Sequence, residues 1–232
     1  MPSFKKVFSF AVLISGSGSN LQAVLDAIEN GIIPGARIEL VISDREDAYG
    51  LERAENKDIT NLVIDKNDTS GLLKLLNPKS IDGIILAGYL SILPPEVIEK
   101  YSGKIINIHP ALLPMFGGRG FYGIRVHQAV LASGAPYSGA TAHIVDCGID
   151  TGPAIVRGVV PVLTGDTAED LQKRVLEVEH IILVIAVKAM VEDRIKEMIE
   201  KPAVYMDTKE KNGVLEFARG LAELGDSLKG EL

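Results

Sequence analysis

Residues 7–21 have the sequence VFSFAVLISGSGSNL, in which an apolar run is followed by a turn of glycine and serine and then by the first residues of an amphipathic helical pattern. This order is typical of the first strand, turn and helix of a βαβ unit. Lys5 and Lys6 precede the apolar run, as basic residues precede the apolar region of a signal peptide. Because the run continues directly into the turn and the helix, we interpret it as a first strand.

Strand and helix patterns alternate along the first half of the chain. Strands are predicted at residues 8–14, 37–43, 60–65, 82–87 and 104–108, and helices at 20–30, 46–55, 69–76 and 94–101. The alternation predicts an α/β fold with a doubly wound, mainly parallel sheet and helices on both faces. Residues 140–145 and 154–162 are strand patterns with no helical pattern between them. They predict an antiparallel addition to the sheet after residue 140.

The sequence after residue 166 favours a long helix. Thr167 is a candidate N-cap with Asp170 in the capping-box position, and the helical pattern continues to about Ile199. We therefore predict one folded domain over residues 1–200. Residues 201–232 are interpreted as a C-terminal extension, in which residues 214–224 match a short amphipathic helix.

The composition limits the class of protein. The 232 residues are 47% hydrophobic and 24% charged, which suits a globular domain with a sizeable core. A net charge of −7 provides no basic field for a polyanion, so nucleic acid is not expected as a partner. Cys147 is the single cysteine, which excludes an internal disulfide and favours a reducing, cytoplasmic compartment. No stretch of 18 apolar residues occurs, so no membrane-spanning helix is expected.

Two polar side chains stand at the end of the fifth predicted strand. Residues 105–114, IINIHPALLP, place Asn107 and His109 two apart, so a strand aims both side chains to the same side. Pro110 lacks an N–H and is expected to end strand pairing there. Acyl transfer to a weak nucleophile needs two such groups. A carboxamide can donate a hydrogen bond to the developing oxyanion, and an imidazole can move a proton near neutral pH. We predict that both side chains lie in an active site.

The glycine-rich turn is a candidate anion site. Small residues let the N–H groups of residues 16–20 converge on a phosphate, and the helix N-terminus adds a favourable partial charge. A dinucleotide-binding fingerprint is an alternative, supported by Asp44 after the second strand, but Leu21 occupies the place of its third glycine. A plain turn in which Ser19 and Asn20 cap the helix is a second alternative.

The segment 143–153, HIVDCGIDTGP, supplies a candidate acid for the histidine. A carboxylate at Asp150 would favour the charged form of the His109 ring and fix its orientation, although Asp150 also suits an Asx-turn that only shapes the loop. His143 lies in a predicted strand, and a hydrogen-bonded core histidine is the favoured interpretation over a catalytic one. The spacing of His109, His143 and Asp150 is not typical of a metal motif, and no metal is predicted.

Four segments together resemble the phosphoribosylglycinamide formyltransferase family, which is one of the folate-dependent formyltransferases. They are ISGSGSNLQ at 14–22, LAGYL at 86–90, NIHPALLP at 107–114 and DTGP at 150–153. The resemblance covers roughly the first 200 residues and implies that they form the catalytic domain. It implies Asn107, His109 and Asp150 as the catalytic trio and Glu179 as a residue that binds glycinamide ribonucleotide. The residues implied to hold the phosphate of that substrate are Gly16, Ser17, Gly18, Ser19 and Asn20.

The resemblance also implies the co-substrate and the reaction. The formyl donor would be 10-formyltetrahydrofolate, with direct transfer to the glycine amine of glycinamide ribonucleotide in de novo purine biosynthesis, without a metal. The implied folate-binding residues lie in two segments: Tyr89, Leu90, Ser91, Ile92 and Leu93, and Asp146, Cys147, Gly148 and Ile149. A homodimer is left open by the sequence.

The chain departs from the family pattern at three places. Residues 115–126 are several residues longer than in close relatives and border the predicted site. Arg119 in this segment could contact a phosphate or a folate carboxylate, but we favour a mobile flap with glycine hinges. Ser91 stands where an arginine is common, and Leu176 where a polar substrate contact is expected. A cis bond before Pro114 would suit a tight turn beside the site.

Other functions use parts of the same pattern. A formyltetrahydrofolate deformylase would use the same trio to activate water, but it usually carries an additional N-terminal domain, and here the first strand begins by residue 8. A methionyl-tRNA formyltransferase would need a basic C-terminal domain, which the last 30 residues do not provide. A nucleotide-binding module without catalysis would explain only the glycine turn.

Overall fold

The computed structural model describes residues 7–65, 68 and 71–206 of the chain. The helix predicted at residues 214–224 lies outside this part and stays a prediction. None of the helices in the described part has the length and apolar character needed to cross a membrane.

One sheet of eight strands organises the described residues. The strands are β1 Phe8–Ile14, β2 Ala36–Ser43, β3 Thr60–Val63, β4 Gly83–Leu86, β5 Ile105–His109, β6 Tyr137–Ile144, β7 Ala154–Pro161 and β8 Ala203–Met206. The helices are α1 Ser19–Glu29, α2 Tyr49–Glu55, α3 Gly71–Leu76, α4 Pro95–Lys100, α5 Ile124–Ser133, α6 Ala168–Val191 and α7 Ile195–Glu200, with a short 3-10 helix at Asn77–Lys79.

The strand order is β3-β2-β1-β4-β5-β6-β7-β8. Strands β1 to β5 pair in parallel, whereas β6 runs antiparallel to both β5 and β7. This arrangement confirms the predicted α/β fold with a mainly parallel sheet and an antiparallel addition. The carboxyl ends of β1, β4 and β5 therefore meet at one edge, where open α/β sheets bind ligands.

Helices cover the sheet on both faces. Phe10, Val12 and Ile14 of β1 are fully buried in a core shared with helices α1 and α6, while Ala11 and Leu13 are fully buried in a second core on the opposite face. Successive side chains of a strand point to opposite faces, so a strand covered on both sides must be apolar throughout. This burial is why residues 10–14 of the first strand are continuously apolar, while the buried Ser9 near its start is hydrogen-bonded through its N–H to Asp82 and through its hydroxyl to Arg37.

The C-terminal elements differ in part from the prediction. The capping box is present, since the Thr167 hydroxyl accepts from the Asp170 N–H and the Asp170 carboxylate accepts from the Thr167 N–H. The helix predicted to reach residue 199 ends at Val191, and Asp193 adopts a left-handed conformation before α7 begins. Residues 203–206, predicted as part of the extension, pair with β7 as the eighth strand. Helix α5 was indicated by the sequence only as a helical pattern around His127, without bounds.

Candidate active site

The predicted trio lies together at the carboxyl end of the sheet. Asn107 and His109 occupy alternate positions of β5, and Asp150 lies in the loop between β6 and β7 with φ +59°. His109 Nδ1 is 3.4 Å from Asp150 Oδ2, and Asn107 Nδ2 is 3.5 Å from Asp150 Oδ1. The His109 ring and the Asp150 carboxylate are both largely buried, with side-chain exposures of 6% and 11%. The structure therefore brings a carboxamide and an imidazole next to one carboxylate, the set of groups that suits acyl transfer.

His143 is a fourth member of this cluster. It pairs with Asn107 across β5 and β6, and its Nε2 lies 3.0 Å from Asn107 Nδ2. Its Nδ1 lies 2.9 Å from the Ile144 carbonyl oxygen, so the ring is buried and hydrogen-bonded, which agrees with the interpretation as a core histidine. Burial lowers the pKa of His143, while the Ile144 carbonyl and the Asp150 carboxylate act in the opposite direction. A neutral ring can accept the Asn107 N–H and orient that amide.

The main chain of the long segment 115–126 contacts the trio. The Phe116 carbonyl oxygen is 2.9 Å from His109 Nε2, and the Gly118 N–H donates to Asp150 Oδ2 at 3.0 Å. Arg119 is exposed and lines the same cleft, so both interpretations of its role stay open. The bond between Leu113 and Pro114 is cis. The sequence placed this segment beside the site but gave no sign that its backbone would contact two of the trio.

The glycine turn joins β1 to α1 at the same edge. Gly18 precedes α1 with φ +70°, and a Cβ atom there would lie 2.6 Å from the Gly50 Cα atom. Among the residues that the structure describes, no side chain caps α1, which argues against the alternative in which Ser19 and Asn20 serve as caps. The first N–H groups of a helix have no partner within it, and here they remain available to an anion. Asp44 is the acid of the dinucleotide alternative, and one of its carboxylate oxygens, Oδ2, accepts a 2.5 Å hydrogen bond from the Ser91 hydroxyl.

Glu179 of α6 is connected to this turn. Its carboxylate accepts a 2.7 Å hydrogen bond from Asn20 Nδ2, although the two residues are 159 positions apart. Both side chains are buried, and Asn20 Oδ1 has no hydrogen-bond partner within the described part of the chain. Burial raises the pKa of Glu179 to about 7, while the hydrogen bond from Asn20 acts in the opposite direction. A polar group of a bound substrate could meet both side chains at this point.

One cleft of about 870 Å³ contains all of these groups. The trio, His143, Glu179, Leu176 and residues 16–20 line it, together with the two predicted folate segments, 89–93 and 146–149. Leu90 and Ile92 are partly exposed in its wall, and the Leu90 N–H is fixed by the Ser15 hydroxyl. Burial raises the pKa of Tyr89 to about 12, so its hydroxyl stays protonated. Within the described residues, no group of three or more His, Cys, Asp or Glu side chains is arranged to hold a metal ion.

Glu179 gives a prediction on stability. Between its ordinary pKa near 4.5 and the raised pKa of about 7, the folded protein keeps a proton that the unfolded chain has lost. The free energy of unfolding should therefore fall as the pH rises through this range, by about 3 kcal/mol. The Glu179→Gln variant should lack this decrease. Urea denaturation of both proteins at about pH 5 and about pH 8 tests it, and the same pH dependence in both would contradict the assignment.

Residues 8–187 match the protein family described as formyl transferase. A phosphoribosylglycinamide formyltransferase of Arabidopsis thaliana, described as chloroplastic, is 42% identical over 80% of this chain and 66% of its own length. The enzyme of that name from Haemophilus influenzae is 36% identical over 86% of this chain and 93% of its own length. This chain thus spans slightly less than two thirds of the plant protein and nearly all of the bacterial one.

Solved structures agree with these relatives. Glycinamide ribonucleotide transformylase 1 of Symbiobacterium toebii superposes with a TM-score of 0.76 at 40% identity, over 81% of this chain and 89% of that one. A formyltetrahydrofolate deformylase of Pseudomonas syringae has a TM-score of 0.74 but only 26% identity, and this chain covers 63% of it. The chain therefore belongs to the formyl transferase family, in the group of the phosphoribosylglycinamide formyltransferases.

Proposed function

We propose that the protein transfers the formyl group of 10-formyltetrahydrofolate to the glycine amine of glycinamide ribonucleotide, a step in purine biosynthesis. The observation that carries the proposal is that Asn107 and His109 both lie within 3.5 Å of Asp150, in the cleft that also contains the turn at residues 16–20. One bound ribonucleotide would then contact the turn through its phosphate and the trio through its amine. The names of the relatives from Arabidopsis and Haemophilus support the same reaction.

In the proposed reaction the amine nitrogen forms a bond to the formyl carbon, and the formyl oxygen becomes an oxyanion. The protonated His109 ring and the Asn107 amide stabilise this charge. The 3.5 Å contact from Asn107 Nδ2 to Asp150 is long for a hydrogen bond, so this N–H is the one available to the oxyanion. The bond to the folate nitrogen then breaks. Asp150, together with water, carries the proton from the attacking amine to that nitrogen.

Each substrate has a binding region in this proposal. The phosphate of the ribonucleotide binds the first-turn N–H groups of α1, Glu179 binds the same substrate beside this turn, and the amine end reaches the trio. The folate ring packs between the segments 89–93 and 146–149, where Leu90 and Ile92 supply apolar surface. The folate is a co-substrate, and no metal is needed for the steps described.

A hydrolytic reaction is the competing function, because the same trio could activate water. The phosphate site distinguishes the two, since a deformylase has no use for a phosphorylated amine. The test is incubation with 10-formyltetrahydrofolate, with and without glycinamide ribonucleotide, while free tetrahydrofolate is measured. We expect release only with the amine substrate. Release at the same rate without the amine would establish the deformylase instead.

Gly18 provides a prediction on the phosphate site. Gly18→Ala introduces a Cβ atom 2.6 Å from the Gly50 Cα atom, so the turn must shift and its N–H groups lose their alignment. A charge-assisted hydrogen bond contributes about 1.5–3 kcal/mol, so KM for the ribonucleotide should rise about tenfold or more, with KM for the folate unchanged. Gly31→Ala is the matched control, because Gly31 also has φ +70° but no atom within 4 Å of its Cβ position. If Gly18→Ala and Gly31→Ala had the same KM for the ribonucleotide, the assignment of the turn at residues 16–20 as the phosphate site would be wrong.

The chain has one cysteine, Cys147, which is exposed and has no second cysteine in the chain to pair with; this fits a reducing compartment, and we propose the cytoplasm. The Arabidopsis relative carries the description chloroplastic, so the location is a property to be measured for this chain by fractionation.

A further inference from the structure

The two ring nitrogens of His109 have different partners. Nε2 lies 2.9 Å from the carbonyl oxygen of Phe116, and Nδ1 lies 3.4 Å from Asp150 Oδ2. A carbonyl oxygen only accepts, so Nε2 must carry the hydrogen of this bond. In the neutral ring Nδ1 is then the unprotonated nitrogen. The proton that His109 gains or loses is therefore the one on Nδ1, which faces the Asp150 carboxylate.

His143 has the opposite arrangement within the same cluster. Its Nδ1 lies 2.9 Å from the Ile144 carbonyl oxygen, so Nδ1 carries the hydrogen. Its Nε2 is then an acceptor and receives the Asn107 N–H at 3.0 Å. Two histidines of one site are thus expected in opposite tautomers, each selected by a main-chain carbonyl group.

A buried hydroxyl holds the turn that carries the Phe116 carbonyl. The Thr141 hydroxyl donates to the Ala111 carbonyl at 2.7 Å and accepts from the Leu113 N–H at 3.0 Å. Thr141 is fully buried in β6 and pairs directly with His109 of β5. Strand β6, which pairs with β5 at His109, is thereby hydrogen-bonded to residues 111–113, which lead into the turn with the Phe116 carbonyl.

We propose that the Phe116 carbonyl is the positioning group that makes Nδ1 the reactive nitrogen of His109, and that Thr141 holds this carbonyl in place. The proposal rests on the proposed function in so far as His109 acts in formyl transfer. It resembles the general arrangement in which a third group orients an active-site imidazole through the ring nitrogen that does not take part in the reaction. Here that third group belongs to the main chain of the long segment 115–126.

The tautomers can be measured without substrate. The chain has four histidines, so ¹⁵N-labelled protein gives four sets of ring signals, which single His→Asn variants assign. Two-bond ¹H–¹⁵N spectra over a pH series show which nitrogen carries the hydrogen in each neutral ring. We expect His109 with hydrogen on Nε2 and His143 with hydrogen on Nδ1. Hydrogen on Nδ1 of neutral His109 would overturn the proposal, whatever reaction the protein catalyses.

Variants of Thr141 test the support of the turn. Thr141→Val keeps the shape of the side chain but leaves the Ala111 carbonyl and the Leu113 N–H without the hydroxyl, whereas Thr141→Ser keeps the hydroxyl. We expect Thr141→Val to give a mixture of His109 tautomers and about a tenfold lower kcat with both KM values within about twofold. Thr141→Ser should restore the Nε2–H tautomer and most of kcat. A folded Thr141→Val protein with the wild-type tautomer and kcat would contradict the role of Thr141.

The measurements separate this proposal from the proposed function. If the wild-type protein shows the expected tautomers but transfers no formyl group, the proposed function fails and the assignment of the ring nitrogens stands. If Thr141→Val does not fold, the wild-type spectrum still decides whether the Phe116 carbonyl selects the tautomer.

Discussion

Replacing Asp150 with asparagine is expected to lower kcat for formyl transfer by about a thousandfold, with much smaller changes in both KM values. The substitution removes the negative charge 3.4 Å from His109 Nδ1, so the charged ring loses its ion partner. It also removes the carboxylate that is proposed to carry the proton from the amine to the folate nitrogen. The fold should be retained, because Asp150 has φ +59° and asparagine tolerates this conformation well. The amide oxygen can still accept the Gly118 N–H, which holds the long segment in place.

Asp146→Asn is the matched control for this experiment. Asp146 lies in the same loop and lines the same cleft, but its carboxylate accepts from the Gly148 N–H and the Thr151 hydroxyl. We expect kcat of this variant to stay within a few-fold of the wild-type value, with any larger change confined to KM for the folate, because Asp146 belongs to the proposed folate segment. Steady-state kinetics of both variants provide the measurement. If Asp150→Asn retained more than about a tenth of wild-type kcat, the carboxylate would not be the proton carrier.

Much of this site follows from the period of a strand. Asn107 and His109 could be placed together because residues two apart in a strand share a face, and Pro110 indicated where pairing would end. The glycine turn after β1 could be placed at the same edge because parallel strands align their carboxyl ends. The structure confirms both placements, since these residues line one cleft. The roles assigned to them stay predictions until they are measured.

The contacts that sequence reasoning missed depend on pairing and on the main chain. Nothing local indicates that His143 pairs with Asn107, because the register of β5 on β6 is fixed only when both strands are in the sheet. The Phe116 carbonyl and the Gly118 N–H carry no side-chain signal, since every residue has these groups. Only the conformation of the segment makes them partners of His109 and Asp150.

A similar limit applies to Glu179. The resemblance implied it as a substrate-binding residue, but its hydrogen bond to Asn20 depends on the packing of α6 against α1. A helical pattern predicts which face of α6 is apolar, not which residue of another helix it will meet. The buried pair therefore appears only in the folded chain. It places the Glu179 carboxylate beside the turn where the phosphate of the ribonucleotide is proposed to bind.

Replacing His109 with alanine is expected to reduce kcat by roughly a thousandfold, because both the cation near the oxyanion and the partner of Asp150 are lost. The vacated space lies between the Asp150 carboxylate and the Phe116 carbonyl, so both acceptors stay in place to bind an added imidazolium ion. Imidazole in the assay should therefore restore part of the activity in a saturable manner.

His127→Ala is the control for this rescue. His127 is a buried histidine of the same cleft, but burial lowers its pKa to about 4, with a smaller effect from His109 in the same direction, so it is neutral at working pH. Its replacement should leave kcat within a few-fold of wild type, and imidazole should have no effect. A His109→Ala protein with nearly full activity would exclude His109 from catalysis. Loss of activity without rescue, together with an altered circular dichroism spectrum, would show that this buried residue of β5 is needed for the fold rather than for stabilising the oxyanion.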